Sequence, residues 1–378
     1  MPSTTLLAPT LLTRPTQLRA LADKLAAEPL IAVDTESNSL HAYREQVCLM
    51  QFSTPEGDFL VDPLSLDDLS PLAPIFADPK YEKIFHAAEY DLICLKRDFD
   101  FTFENVFDTM FAARMLGRKR VGLGSMLEDE FNVVLNKKYQ RADWGQRPLP
   151  SYLLAYAQLD THYLIQLRNR LREQLLTKKL WPLAEEDFTR LRNVNGRDPT
   201  PKEELCWRVN GARDLTATEA AILQELCLYR DDMAKKLDRP AFKVMNDELL
   251  LTLAQRLPLE KAGLFRAGMT DRQVDRFGAG VLAALARGIA APPLYQPAHP
   301  RPDEDFLNRM EALSDWRKDR ARSLDVESDV VLPREHISKI ARQNPPNAAS
   351  LAEMMEDVPW RYQQYGEQIL RVLKRMNR

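Results

Sequence analysis

The stretch Leu30-Ile-Ala-Val-Asp-Thr-Glu36 is an apolar, β-branched run that ends in two acids. Such a run predicts a buried strand, and side chains two residues apart on a strand point to the same face. Asp34 and Glu36 would therefore repel each other and lose hydration there, unless a cation lies between them. The alternative is a strand that ends in solvent, with both acids in water. Further carboxylates that could complete a metal site are needed to decide between the two.

The 378 residues exceed one ordinary domain, and 45% hydrophobic with 28% charged residues is a globular composition. A net charge of -3 does not indicate a polyanionic partner, so any nucleic-acid surface must be local. Four widely spaced cysteines without a C-x-x-C pair argue against structural zinc and against a disulfide framework. No signal peptide and no bilayer-spanning run of roughly 20 apolar residues is found. The sequence predicts a cytoplasmic protein with no membrane association and no obligate protein partner.

The elements around the first stretch predict a mixed α/β sheet covered by helices. Apolar spacing over residues 16–27 predicts a helix before the strand, and Thr54-Pro-Glu-Gly57 is typical of a β-hairpin turn. Asp108 and Ser125 are typical helix N-caps. The residues from Ser151 to about Leu176 contain no glycine or proline and predict one long helix.

The C-terminal half contains two copies of one segment, separated by a proline-rich stretch. Similar residues recur at an offset of 87, as from 229 to 316, and later of 88, as from 277 to 365. The matched pairs are Tyr229-Arg230 with Trp316-Arg317, Leu237-Asp238 with Leu324-Asp325, Val244 with Val331, Ala254 with Ala341, Pro258 with Pro345, and Phe277-Gly278 with Tyr365-Gly366. This repetition predicts two small helical domains that arose by internal duplication.

Two further acids could join Asp34 and Glu36. Asp91 lies just past a predicted strand end, where side chains of α/β sheets reach into a cleft. Tyr156 and Asp160 share a helix face because they are four residues apart. Four oxygen ligands without histidine or cysteine suit Mg²⁺ or Mn²⁺. Two such ions roughly 4 Å apart can clamp an in-line displacement at phosphorus.

Each of these residues also has a plainer interpretation. Asp91 is typical of a helix N-terminal charge that interacts with the dipole. Tyr156 could be a core aromatic, and Asp160 a solvated helix residue. Their joint occurrence in this order favours the metal site.

D-x-E on a strand, an Asp within H-x-x-x-x-D-L, and Y-x-x-x-D on a late helix resemble the three motifs of the DEDD exonuclease superfamily, and the tyrosine marks its DEDDy branch. The chain resembles bacterial ribonuclease D along nearly its whole length, and the C-terminal copies are similar to HRDC domains. The matching stretches are Asp34-Thr-Glu36, Asp108-Thr109, Asp143-Trp144, Arg147-Pro-Leu149 and Tyr156 to Asp160. Ala142 departs from the family, which usually has Ser or Thr there, so one phosphate-directed hydroxyl is in doubt.

The resemblance implies an RNase H-like α/β exonuclease core, with a mixed sheet flanked by helices, followed by two small all-α HRDC-like bundles. It implies that Asp34, Glu36, Asp91 and Asp160 hold two divalent ions, Mg²⁺ or Mn²⁺, and that Tyr156 orients the nucleophilic water. The implied reaction removes 3′-terminal nucleotides from RNA as 5′-monophosphates, in transfer-RNA precursor processing or RNA turnover. The expected divisions are 1–192 for the exonuclease domain, 193–203 for a linker, 204–290 for the first HRDC-like domain, 291–304 for the proline-rich linker and 305–378 for the second HRDC-like domain.

Several polar and aromatic residues are expected to contact RNA. In the loop before the tyrosine helix these are Lys137, Gln140, Trp144 and Arg147. Trp144 could stack on a base, with core packing as the alternative. The cations of 114–120 could guide the phosphate backbone or form a helix C-terminal charge cluster, and those of 235–243 could bind RNA or be a solvated helix face.

Two other functions are compatible with these motifs. One is a DNA-directed 3′-5′ exonuclease on the same core, because the metal-dependent hydrolysis does not require the 2′-hydroxyl. The other is a non-catalytic RNA-binding protein on a decayed nuclease fold. The complete set of four acids with Tyr156 argues against the latter.

Overall fold

The computed structural model of the chain describes residues 6–194, 202–297 and 303–376. It divides into two compact units, each described by itself below. The first unit comprises Met1–Ser37, Val47–Gly196 and Arg301–Arg378, and the second comprises Asn38–Gln46 and Arg197–Pro300. The short segment Asn38–Gln46 thus groups with the first helical copy, where the Tyr43 hydroxyl donates to Asp231 at 3.0 Å. The predicted domain limits, whose linkers lie partly outside the described residues, stay predictions.

A six-stranded mixed sheet is the centre of the first unit. Its strands are β1 Thr10–Leu12, β2 Leu30–Ser37, β3 Val47–Thr54, β4 Gly57–Val61, β5 Glu82–Phe85 and β6 Val106–Asp108. They lie in the order β1-β4-β3-β2-β5-β6. The hairpin β3–β4 is antiparallel, and β2 is antiparallel to β3 but parallel to β5. β2 therefore has a neighbour on each side, as its apolar residues predict.

Eight helices accompany this sheet in the described nuclease region. They are α1 Pro15–Leu25, α2 Ala73–Ala77, α3 Glu89–Phe99, α4 Thr109–Met115, α5 Leu123–Phe131, α6 Ser151–His162, α7 Leu164–Thr177 and α8 Trp181–Leu191. Their buried residues recur every three or four positions, as in Leu164, Leu167, Leu171 and Leu175 of α7. The predicted mixed sheet flanked by helices is confirmed. Among the described residues, every helix is too short or too polar to cross a bilayer.

Two helix predictions were wrong, whereas the helix before β2 and the Asp108 cap were confirmed. Asp108 caps α4, since its carboxylate accepts from the backbone N–H groups of Met110 and Phe111. Ser125 lies inside α5, which begins after Gly122. The expected single helix over 151–176 is divided at Tyr163, whose ring stacks on Phe131 at 5.1 Å between centroids. Tertiary packing, which the sequence pattern does not contain, decides both points.

The two helical copies have the same succession of five helices. The first copy contains α9 Ala217–Lys236, α10 Ala241–Val244, α11 Asp247–Arg256, α12 Lys261–Arg266 and α13 Asp271–Ala290; the second contains α14 Glu304–Leu324, α15 Ser328–Val331, α16 Arg334–Gln343, α17 Ala348–Met354 and α18 Pro359–Met376. An internal contact repeats as well. The Arg230 guanidinium donates to the Met245 carbonyl at 3.2 Å, and 87 positions later Arg317 donates to the Leu332 carbonyl at 2.9 Å.

Within the first unit, the second copy packs on the nuclease helices. Val330 joins the hydrophobic core built by the sheet and its helices. The Arg361 side chain is fully buried and pairs with Glu186 and Asp187 of α8. An apolar contact and a buried ion pair thus join the second copy to the nuclease region.

Candidate active site

The first two acids lie where β2 leaves the apolar part of the sheet. In the antiparallel pair, Asp34 is opposite Gln51 and Glu36 is opposite Leu49. Residues directly opposite each other point to the same face, so Asp34, Glu36, Gln51 and Leu49 share one side of the sheet. Leu49 packs with Tyr156, which identifies this side as the one covered by α6.

Asp91 reaches the same place through the parallel pairing of β2 and β5. Parallel strands have their carboxyl ends at one edge, and α3 begins at Glu89, shortly after β5 ends at Phe85. The hydroxyl and the backbone N–H of Thr35 both donate to the Asp91 carboxylate. Thr35, between the two acids of β2, thereby holds the third one.

Helix α6 brings the fourth acid and the tyrosine over β2 and β3. Its position is set by the hydroxyls of Ser53 and Thr161, which are 2.7 Å apart. One carboxylate oxygen each from Asp34, Glu36 and Asp160 lie within 4.8 Å of one another. Asp91 lies outside this tight group, but its charge raises the pKa of all three. The oxygens are of the kind that hard divalent cations prefer, so the donor set fits such ions.

Burial and mutual repulsion govern the protonation of these acids. Burial, followed by the charges of the other three acids, raises the pKa of Asp34 well above its usual range. Burial also raises the pKa of Asp91 to about 7 and, together with the charge of Asp91, that of Asp160 to about 8. Four carboxylates held so close are costly unless they are protonated or neutralised by cations.

These raised pKa values predict that the metal-free protein loses stability as the pH rises. Asp91 and Asp160 hold protons in the folded state that the unfolded chain releases near pH 4. Because the folded state then binds more protons, raising the pH from about 4 to about 8 lowers the free energy of unfolding. In EDTA, the fall in unfolding temperature over this window should be steeper for the wild type than for Asp160→Asn. Calorimetric scans that gave equal slopes for both proteins would contradict this.

The tyrosine hydroxyl is placed beside the acids by its neighbours. Burial and then the charge of Asp160 raise the pKa of Tyr156, which keeps the phenol protonated, and Gln140 hydrogen-bonds to it. Trp144 is 1% exposed, and its ring lies 6.2 Å from that of Tyr156, centroid to centroid. The expected stacking of Trp144 on a base is therefore not available in this structure. The ring packs in a buried cluster with Tyr156 instead.

The expected contact of Arg147 with RNA is also not supported by its surroundings. A guanidinium has five N–H donors, and all five are used within the protein. Two go to Asp62 at 2.7 Å, and the others go to the carbonyls of Trp144, Gln146 and Cys48. Arg147 thus anchors the loop that carries Trp144. Of the two remaining expected RNA contacts, Gln140 hydrogen-bonds to the Tyr156 hydroxyl, and the side chain of Lys137 lies outside the described part of the structure.

The cations after α4 are engaged by acids. Arg114 pairs with Asp329 at 2.5 Å, Lys119 with Asp325 at 3.1 Å and Arg118 with Glu130 at 2.7 Å. Arg120 pairs with Glu128 and Asp129. This agrees with the charge-cluster interpretation. His86 is kept neutral because burial lowers its pKa to about 4, and its Nδ1 lies 2.9 Å from the Thr109 hydroxyl.

Sequence reasoning missed two residues at this site, Thr35 and Gln51. Thr35 lies inside the D-x-E motif, and its small hydroxyl was the available signal. Gln51 is a polar residue in an otherwise apolar run, Val47-Cys-Leu-Met-Gln-Phe52. Its place opposite Asp34 depends on strand register, which the sequence alone does not supply.

Comparison with known proteins agrees with this geometry. The family model described as 3′-5′ exonuclease matches residues 9–176, and the HRDC domain model matches 219–285 and 306–373. The chain is similar to the exosome complex exonuclease RRP6 of Saccharomyces cerevisiae, with 33% identity over 287 residues, 72% of this chain and 39% of that protein. It is 28% identical to a ribonuclease D of Desulfotalea psychrophila over 274 residues, 72% of this chain and 73% of that one.

The solved structure of Escherichia coli RNase D, described as an exoribonuclease involved in structured RNA processing, superposes with a TM-score of 0.72. It has 25% identity and covers 98% of this chain and 99% of that one. The RRP6-type relatives are longer, and the chain spans half or less of their length.

The chain therefore belongs to the DEDD superfamily of 3′-5′ exonucleases. Within it, the chain is homologous to ribonuclease D and to RRP6, and two HRDC domains follow its nuclease domain. The resemblance recognised from the motifs is confirmed, and so is the duplication.

Proposed function

We propose that this protein is a 3′-5′ exoribonuclease that hydrolyses the last phosphodiester bond of an RNA and releases nucleoside 5′-monophosphates. The observation that carries the proposal is the convergence of Asp34, Glu36 and Asp160 within 4.8 Å, beside the Tyr156 hydroxyl. An RNA substrate is supported by the relatives named ribonuclease D and by the Escherichia coli enzyme's description.

The roles of the side chains follow from their positions. Asp34, Glu36, Asp91 and Asp160 would hold two divalent cations, Mg²⁺ or Mn²⁺. When bound, such cations neutralise charge on the attacking and leaving oxygens. The phenol of Tyr156 stays protonated and orients the water whose oxygen bonds to phosphorus as the bond to the 3′-oxygen breaks. The released 3′-oxygen takes up a proton and becomes the new terminal hydroxyl.

RNA capture is assigned to the first HRDC domain. Lys235, Lys236, Arg239 and Lys243 are exposed there, and Phe242 beside them is 53% exposed. Cations with an exposed aromatic ring suit single-stranded nucleic acid. Transfer-RNA precursors as substrates, a cytoplasmic location and the lack of an obligate protein partner stay predictions from the sequence.

A timed digestion tests the proposed activity. A 3′-extended transfer RNA, labelled at its 5′ end, is incubated with the full chain in Mg²⁺, in Mn²⁺ or in EDTA, alongside Asp160→Ala. Stepwise shortening from the 3′ end should occur only in the wild type with metal, and it should yield 5′-monophosphates. A DNA strand of the same sequence run in parallel would reveal a DNA-directed enzyme. RNA that is bound but never shortened would favour the non-catalytic alternative.

The Tyr156→Phe variant should lose turnover far more than RNA affinity. Only the hydroxyl that orients the water is removed, while the ring that packs on Trp144 is kept. Such a group is worth about 10²-fold or more in kcat, whereas KM should stay within about threefold because ground-state contacts persist.

Tyr163→Phe is the matched control. Its ring packs on Phe131, so loss of this hydroxyl should leave both constants near wild type. Equal losses of kcat and RNA affinity in Tyr156→Phe would contradict the proposal that Tyr156 orients the water.

A further inference from the structure

Gln51 is a buried amide without a partner inside the nuclease domain. It is 0% exposed in the middle of β3, and, within the described part of the chain, neither Oε1 nor Nε2 has a hydrogen-bond partner. Leaving such a group unsatisfied destabilises a fold, and native structures rarely do so without a reason. Gln158, another buried glutamine, shows the usual situation: its Nε2 donates to Asp58 at 2.6 Å and to the Leu7 carbonyl at 2.7 Å.

The strand register places this amide against the acid cluster. Gln51 is directly opposite Asp34 on β2 and opposite Leu60 on β4. Leu60 is apolar and buried, so the polar neighbour across the sheet is the Asp34 carboxylate. Directly opposed side chains have their Cβ atoms about 5 Å apart, which is within reach of a glutamine amide.

The neighbouring residues of β3 do not supply a partner for the amide. Ser53, two positions along on the same face, uses its hydroxyl with Asp58 at 2.6 Å and with Thr161 at 2.7 Å. Leu49, two positions back, is fully buried and apolar. Gln51 therefore has the Asp34 carboxylate opposite it, whereas Ser53, the polar neighbour on its own strand face, is engaged by Asp58 and Thr161.

We propose that Gln51 is a positioning residue for the metal site: its amide N–H donates to the Asp34 carboxylate once cations are bound. The amide has no hydrogen-bond partner within the described residues, and the Asp34 carboxylate lies directly opposite it across the strand pair. A carboxylate oxygen that does not face the cations can accept the N–H. This inference rests on the proposed two-cation function and adds a residue outside the four acids and the tyrosine.

The test is Gln51→Met, which keeps the length of the side chain and removes the amide. Titration of the apo full-length chain with Mn²⁺ alone, followed by calorimetry, should show affinity reduced about 10- to 100-fold, as is typical when a partner of a metal ligand is lost. kcat for RNA should fall while KM stays near wild type. In EDTA, the unfolding temperature should be unchanged or higher, because an unsatisfied buried amide has been replaced by an apolar group.

Gln158→Met is the control, and the opposite changes in unfolding temperature and Mn²⁺ affinity are expected for it. It removes an amide that has partners, so its unfolding temperature should fall while its Mn²⁺ affinity stays near wild type. Mn²⁺ affinity of Gln51→Met within about threefold of wild type would overturn the proposal, as would a clear loss of its unfolding temperature in EDTA. A wild-type chain that takes up no Mn²⁺ would overturn the proposed function itself, and this inference with it.

Discussion

Replacing Asp34 with asparagine is expected to reduce RNA trimming by at least about 10³-fold. Asn keeps the shape of the side chain but removes one charge from the group that would hold the cations. Charge stabilisation by a bound metal ion is worth several kcal/mol, and each 1.4 kcal/mol is about tenfold in rate. The measurement is single-turnover cleavage of a 5′-labelled RNA at saturating enzyme in Mg²⁺ and in Mn²⁺.

The same substitution should stabilise the metal-free fold. Burial, and then the charges of Asp91, Asp160 and Glu36, raise the pKa of Asp34 well above its usual range, so a neutral side chain there removes a cost that the folded state bears. The unfolding midpoint in EDTA at about pH 8 should therefore be higher than that of the wild type. Lost activity together with gained stability separates a catalytic role from misfolding.

Asp23→Asn provides the control for charge. Asp23 is exposed on α1, so this variant makes the same change in net charge away from the site. Its trimming rate and unfolding midpoint should both match the wild type. Substantial trimming by Asp34→Asn would exclude Asp34 as a metal ligand and leave the proposed chemistry without its basis.

Arg361→Met is expected to lower the free energy of unfolding by about 3–5 kcal/mol. The Arg361 side chain is 0% exposed and joins α18 to α8 through Glu186 and Asp187, with a further bond to the Val330 carbonyl at 3.0 Å. Glu186 is itself buried and also accepts from the Trp360 backbone N–H at 2.7 Å. Removing the cation leaves two carboxylates in a poorly hydrated place, which is why the cost is large.

The free energy of unfolding is measured by urea denaturation, and two further variants serve as comparisons. Arg371→Ala, on the same helix, breaks an exposed pair with Glu367 at 3.5 Å and should change the free energy by less than about 0.5 kcal/mol. The triple variant Arg361→Met, Glu186→Gln, Asp187→Asn removes every charge and should recover much of the loss, because no unpaired buried ion remains. A cost below about 1 kcal/mol for Arg361→Met would mean that the other contacts of the second copy, such as Val330 and the Arg114–Asp329 pair, hold it without this ion pair.

Several of the interpretations that depended on local pattern agreed with the structure. The strand at 30–36, the hairpin turn at Thr54 and the Asp108 cap each depend on neighbouring residues. The duplication could also be predicted from the sequence, because similar residues recur at an offset of 87. The structure has the same order of five helices in both copies. Ser125 shows the limit of such reasoning, since a good capping residue does not cap when the helix has already begun at Leu123.

Trp144 and Arg147 show a different limit. Both lie in a loop before the tyrosine helix and have the chemistry of nucleic-acid contacts. The structure buries Trp144 against Tyr156, and the guanidinium of Arg147, although the residue is exposed, donates to Asp62. Whether a side chain on a loop faces solvent or core depends on which distant residues are beneath it, and no local pattern contains that information.

By itself, the sequence predicted the kind of chemistry and the residues that would perform it. Two acids on one strand face and a tyrosine four residues before an acid on a helix follow from the periods of strands and helices, which are local. Only the tertiary structure decided that Asp34, Glu36 and Asp160 meet within 4.8 Å, that Thr35 holds Asp91, and that Gln51 lies opposite Asp34. Those facts depend on strand register and on how α6 packs over the sheet, and both are set by contacts between residues far apart in the chain.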